Sequence, residues 1–248
     1  MSVEVVPDAK AELDRNAVEY LEPSPDRAVD QKVIAMVADY VLPRLRGRRV
    51  LELGVGDRVW TPRLVDRFPH VTTVEGSSRL LRVMGRELAG KPWTPVCSLF
   101  EEYRPDEPFD TVVATGIFEH VADPPQLLGL VRQWLRPGGT LAVVVPHALS
   151  LHRRLAVKMG LSAFPGEFGE TDRRLQHTHC FTCYDMERLL VEAGFRVREQ
   201  KGLFCKSLPN GLLTRCSDQQ LQGLFDLGLS LPIEYSAVLF FLAESPGR

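Results

Sequence analysis

The sequence predicts an α/β domain on a mostly parallel sheet, and three observations lead there. Short apolar, β-branched runs alternate with segments of helical period. The first run, RVLEL at 49–53, passes into a turn bearing Gly54 and Gly56 and then into a helical segment. The second, VTTVE at 71–75, ends on a carboxylate about 20 residues beyond the glycines, the spacing at which such folds present an acid to a ribose. Parallel pairing of this kind uses right-handed crossovers and covers the sheet on both faces.

Taken in order, the segment 27–45 has Val29, Val33, Ile34, Val37, Val41 and Leu45 at helical spacing, closed by Pro43 and Gly47. RVLEL follows as a buried strand. Residues 58–68 read as a helix with Pro62 in its first turn, where proline is tolerated. VTTVE is the second strand, 77–88 a helix, and a weaker strand ends near Ser98. FDTVVAT (109–115) is a fourth strand and 124–135 a helix. RPGG (136–139) reads as a turn, and TLAVVV (140–145) as a fifth strand. The rhythm breaks over 147–183, too long for an ordinary connection. A helix at 184–194, a strand in FRVREQKG, a helix at 217–229 and an apolar strand at 235–243 complete the pattern.

Composition narrows the function. A chain of 248 residues with 44% apolar content can bury the core of one large domain. A formal net charge of -2 gives no reason to expect nucleic acid or an anionic membrane. No run of about 18 apolar residues appears, so no membrane span is expected. The first residues are polar and acidic and lack the regions of a signal peptide. Cys97, Cys180, Cys183, Cys205 and Cys216 are odd in number and read as reduced thiols. A cytoplasmic protein is expected, monomeric or homodimeric.

In such a sheet, ligands sit at the carboxyl ends of the strands, after residues 53, 75, 98, 115 and 145. Gly54 and Gly56 let the backbone approach a ligand at a helix N-terminus. Glu75 suits a free ribose diol. Four stretches, VLELGVGDRVWT, VEGSS, FDTVVATGIFEHVADP and LRPGGTLAVVVP, then occur in an order that resembles class I S-adenosylmethionine-dependent methyltransferases. The small-molecule branch typified by ubiquinone- and menaquinone-biosynthesis enzymes is the most similar. The resemblance covers roughly 47–146 well and 184–243 more loosely. It implies a Rossmann-like, seven-stranded, mostly parallel sheet with helices on both faces and an antiparallel last strand, YSAVLFFLA. It implies S-adenosylmethionine as cofactor and S-adenosylhomocysteine as product. Residues 1–46 would form an N-terminal helical cap and 47–248 the core domain, with 147–183 an inserted substrate cover.

The resemblance also implies roles. Glu52 would organise the turn near the methionine amino group, Gly54 and Gly56 would pass beneath the methionine, and Thr61 would lie near its carboxylate. Glu75, with Gly76 and Ser77, would bind the ribose hydroxyls. Ser98, Leu99 and Phe100 would meet the adenine. Thr115, Gly116 and Ile117 would face the sulfonium. The family usually has glycine where Arg58 stands. The expectation is that position 58 already belongs to the first helical turn and that the arginine points outward, without positive φ.

Methyl transfer from a sulfonium is an in-line displacement, and a protonated nucleophile needs a base. The candidates are His120, His147, His177 and His179, with Tyr20 in the N-terminal cap; His147 and His179 are preferred on the substrate side, and the EHV motif gives His120 a structural or cofactor-side role. HTHCFTC (177–183) offers two histidines and two cysteines, but the spacing is cramped and no second cluster partners it, so no metal is expected. The basic residues Arg153, Arg154, Lys158, Arg173 and Arg174 read as a solvated helix face rather than an anion site. The expected function is methylation of an oxygen or nitrogen of a small molecule. A peptide or protein N-methyltransferase and a non-catalytic S-adenosylmethionine-binding or scaffold protein remain as alternatives. A nicotinamide dehydrogenase would share the turn and Glu75, but no Tyr-x-x-x-Lys site is present.

Overall fold

A computed structural model describes residues 9–208 and 210–247. Seven strands form one sheet: β1 (Arg49–Leu53), β2 (His70–Glu75), β3 (Trp93–Cys97), β4 (Phe109–Thr115), β5 (Leu135–Pro146), β6 (Arg196–Leu203) and β7 (Val238–Glu244). Their order is β3-β2-β1-β4-β5-β7-β6. Pairs from β3 to β5 are parallel, while β7 runs antiparallel to both β5 and β6. The seven-stranded Rossmann-like sheet with an antiparallel last strand is therefore present.

Side-chain alternation divides the core in two. Val50, Val113, Ala142 and Phe240 face one side; their neighbours Leu51, Val112, Leu141 and Phe241 face the other. The first face is covered by α3 (Pro25–Val41), α4 (Trp60–Arg67), α5 (Ser78–Glu87) and α11 (Asp218–Ser230), and the second by α6 (Pro124–Trp134) and α9 (Cys183–Glu192). Phe240 and Phe241 are fully buried on opposite faces, each contributing about 1.5–3 kcal/mol of apolar burial.

Ahead of α3 lie α1 (Ala9–Asn16) and α2 (Val18–Leu21), both inside the expected cap; residues 1–8 of that cap are outside the described residues. Ser24 accepts from the Arg27 N–H at 3.2 Å and Pro25 opens α3, so the long helix starts where proline is pre-shaped for it. The segment 147–183 contains α7 (Leu151–Lys158) and α8 (Glu170–Arg174). Arg153 joins them, donating to both Asp172 oxygens at 2.9 and 2.8 Å. The solvated basic face is thus corrected at Arg153, which is turned inward because a half-buried guanidinium needs a bidentate acceptor. Arg174 pairs with Glu19 at 3.5 Å, linking the insertion to α2. A short helix α10 (Asn210–Leu213) precedes α11.

Two local expectations change. RPGG belongs to β5 rather than to a turn: Gly138 donates to the Ser245 carbonyl at 3.1 Å and Ser245 donates to the Gly139 carbonyl at 2.8 Å, so the backbone keeps ladder partners. The second change is at Arg58. Helix α4 begins only at Trp60, and Arg58 has φ +62°. Its N–H closes a turn onto the Val55 carbonyl at 3.0 Å, and the chain passes through the left-handed region at Arg58 before α4 starts. The side chain does point outward, to Glu87. Among the described residues no helix is long and apolar enough to cross a membrane.

Candidate active site

The glycine turn is built by constraints from both sides. Gly54 has φ +72°, and a Cβ there would lie 2.8 Å from Ile117 Cδ1. Gly56 has φ +48° with nothing within 4 Å of its Cβ position, so this part of the turn is bare backbone facing open space. Glu52 and Thr61 do not reach that space. Glu52 is 2% exposed and accepts from Thr61 Oγ1 at 3.1 Å and Thr73 Oγ1 at 2.7 Å. Both lie one layer behind the turn, because a buried hydroxyl and a buried carboxyl satisfy each other. Burial pushes the Glu52 carboxyl up to about 8.

Glu75 accepts from the Val55 N–H at 2.9 Å on one oxygen and the Ser77 N–H at 2.7 Å on the other. It fixes the turn while each oxygen keeps a further lone pair. Burial raises its pKa, and these N–H donors oppose that. The surface beside it is covered by α1. A Cβ on Gly76 would lie 2.3 Å from Leu13 Cδ1 and 3.5 Å from Leu99 Cδ2. Asp14 accepts from Ser77 Oγ at 2.7 Å, Ser78 Oγ at 2.9 Å and the Arg79 N–H at 2.9 Å, capping α5 from outside the helix. The Ser98 hydroxyl donates to the Leu99 carbonyl at 2.9 Å, and Phe100 packs toward the core on the α6 side. Gly76, Ser77 and Leu99 are thus brought together under α1, whereas Phe100 turns away because it is apolar and has core to fill.

A cavity of about 260 Å³ opens over the turn, with Gly54, Gly56, Thr115, Gly116 and Ile117 in its wall. Tyr20 also lines it, held by the Arg27 guanidinium 5.6 Å above its ring, and burial raises the phenol so that it keeps its proton. Tyr20, a sequence-based candidate base, thus stands in the wall of this cavity. The acids Asp30, Asp57 and Glu119 line the same cavity. Burial pushes Glu119 up to about 7 and Asp30 to about 6, and lowers His120 to about 4.

A second cavity of about 460 Å³ lies beyond β5, walled by α7, α8 and the residues between them. The two share Asp30, Val33, Pro146, Leu175, His177 and Val238 in their linings. His147 is 2% exposed and lines the second, its Nδ1 3.0 Å from the Ser236 carbonyl. A carbonyl can only accept, so Nδ1 carries the proton and Nε2 is left as an acceptor. Burial lowers its pKa, so the ring is neutral. His179 is in neither lining; it stacks on Phe181 at 5.8 Å and meets the Thr178 hydroxyl at 3.0 Å. Its preferred substrate-side placement is corrected: His177 lines both cavities, while the His179 ring is taken up by Phe181 and the Thr178 hydroxyl.

Asp30, His152 and Lys206 were not singled out by sequence. Burial lowers His152 to about 3 and lowers Lys206 as well. Asp30 was legible in principle, since it interrupts the apolar stripe of α3 beside Val29 and Val33. His152 and Lys206 carried no such signal.

The chain is similar to known proteins in sequence and in fold. A family model described as "Methyltransferase domain" matches residues 26–200. An uncharacterized methyltransferase of Mycobacterium tuberculosis is 35% identical over 97 residues, covering 38% of this chain and 49% of that protein; the chain thus spans about half the length of that relative. Phosphatidylethanolamine N-methyltransferase of Cereibacter sphaeroides is 31% identical over 174 residues, 68% of this chain and 78% of that protein. Among solved structures, the Haloferax volcanii complex of the Trm112 methyltransferase activator with a methyltransferase matches at TM-score 0.67 and 16% identity, over 95% of this chain and 98% of that one, which shows the shared fold.

Proposed function

Because the chain belongs to the class I S-adenosylmethionine-dependent methyltransferases, we propose that it methylates an oxygen or nitrogen of a small molecule held in the second cavity. The observation that carries this reading is the meeting of the two cavities around His177, Pro146 and Leu175. The first cavity suits a donor with a sulfonium and an ammonium: its floor is bare glycine backbone, and Asp30, Asp57 and Glu119 give it acidic walls. Glu75 retains acceptor capacity for a ribose diol beside that floor. The second, of about 460 Å³, falls within the range of small-molecule sites and is walled by chain on several sides, which favours a small acceptor over a protein.

Bound at the first cavity, S-adenosylmethionine supplies an electrophilic methyl group on a positive sulfur with a neutral thioether to leave. Gly54, Gly56, Thr115, Gly116 and Ile117 would hold its methionine side. Glu75, Gly76, Ser77 and Leu99 would hold the nucleoside, after α1 yields the surface over Gly76. Tyr20 and the insertion exclude water from the junction. His147, neutral and with Nε2 free to accept, takes the proton that an acceptor hydroxyl or ammonium gives up. The test is calorimetry with S-adenosylhomocysteine, followed by a labelled-methyl screen of small acceptors. Absence of S-adenosylhomocysteine binding refutes the assignment; labelling of peptides but of no small molecule moves the acceptor class.

A further inference from the structure

We propose that Glu119, His120 and His177 form a binding site for one divalent transition-metal ion where the two cavities join. One potential ligand atom from each lies within 4.8 Å of the others. Glu119 and His120 follow β4, while His177 comes from the inserted segment, so the fold gathers the three from distant parts of the chain. Glu119 is 3% exposed, and its Oε2 is buried with no hydrogen-bond partner. Such an orphan is rare, because a buried acceptor left unpaired is costly.

His177 is already arranged as a ligand. His177 Nδ1 is 2.9 Å from Asp172 Oδ1, so that nitrogen carries its proton toward the carboxylate and Nε2 is left as a lone pair. Asp172 is held in turn by Arg153 and by the Gly169 N–H at 2.8 Å. The His120 ring lies in the wall of the first cavity, beside that of His177. The two rings meet edge to face at 4.8 Å between centroids. A carboxylate behind a histidine is the outer-shell partner that fixes the tautomer in metal sites.

Two imidazoles and one carboxylate select zinc or a neighbouring transition metal over magnesium or calcium, which prefer oxygen. Ligands on such an ion at ~2.1 Å stand about 3–3.5 Å apart, so side-chain adjustments of about an ångström complete the set. Three protein ligands leave a position open to a hydroxyl or amine from the acceptor. That role rests on the methyl-transfer reading; ion binding itself does not.

The test uses the full chain, stripped with a chelator, titrated with Co²⁺ and read by visible absorption, then competed with Zn²⁺ and, separately, with millimolar Mg²⁺. The expected result is one Co²⁺ per chain with nitrogen–oxygen bands, displaced by Zn²⁺ and not by Mg²⁺. His177→Ala and Glu119→Gln are each expected to weaken Co²⁺ at least tenfold, and His179→Ala to leave it unchanged. Circular dichroism checks folding, and His120→Asn serves where another variant fails to fold. No stoichiometric Co²⁺, sulfur-to-cobalt bands from the free cysteines, or unchanged affinity in folded His177→Ala overturns the site. Calorimetry of S-adenosylhomocysteine on the metal-free chain reports the donor cavity separately, so failure of the metal site and failure of the methyltransferase reading are distinguishable.

Discussion

Arg58 holds a left-handed backbone conformation, and the clearest measure of what that does is the difference between Arg58→Gly and Arg58→Ala. Its φ is +62°, where a side chain costs roughly 1–2 kcal/mol relative to the ordinary helical basin. Glycine escapes that penalty but loses about 0.5–1 kcal/mol more chain entropy than alanine on folding. The balance favours glycine by about 1 kcal/mol. Both variants lose the pair with Glu87 and the buried Nε that has no partner, so those contributions cancel between them. For a chain of this size the expected gap is roughly 2–4 °C in Tm, glycine above alanine, measured by thermal unfolding at one pH and salt concentration. At most positions the order is the reverse. Alanine equal to or above glycine would refute the argument that position 58 holds a left-handed backbone at a cost to any side chain. S-adenosylhomocysteine affinity is expected to stay nearly unchanged in both variants, since the arginine points away from the cavity.

Glu75→Ala should weaken S-adenosylhomocysteine binding at least tenfold by calorimetry and also lower stability by about 1–3 kcal/mol, because the Val55 and Ser77 N–H groups lose their acceptor. Unchanged affinity would remove Glu75 from the site. Glu52 gives a pH signature. Its folded pKa of about 8 lies above its ordinary 4.5, so between those values the folded chain holds a proton that the unfolded chain has released. The contribution of Glu52 to stability is therefore full below about pH 4.5 and falls as pH rises toward 8, with a limiting slope of about 1.4 kcal/mol per pH unit. Urea midpoints in wild type and Glu52→Gln should show a steeper decline in the wild type over that window; parallel curves would contradict it. His147→Ala should reduce turnover by about 100-fold or more while sparing S-adenosylhomocysteine affinity, and His179→Ala should do neither; a large turnover loss in His179→Ala alone would reverse the two roles.

Much of the fold was readable because strand and helix periods differ and each strand carries its own alternation: VLEL and TVVA assign neighbouring residues to opposite core faces without further information. The turn was readable in outline, since Gly54, Gly56 and Glu75 act through local backbone and fixed spacing. Two kinds of feature were not readable. Arg58 reveals no φ, because an arginine in a helix and one in a left-handed turn are the same letter. The junction of the cavities depends on which residues of 177–181 face inward, and that is set by the bridge between His147 and Phe181 and by Asp172, all tertiary. Thr61 shows the converse: its place at the helix start was legible, but its hydroxyl went to Glu52 instead of to a ligand.

With Leu13 against Gly76 and Asp14 capping α5, a nucleoside placed there as proposed would compete with the protein's own chain. On the proposed placement of the nucleoside, a ligand over Gly76 would meet only the fraction of molecules in which α1 has lifted, and its apparent Kd would equal the intrinsic value divided by that fraction. On that placement, donor affinity would be adjustable by residues that never touch the donor, through the three bonds of a single aspartate.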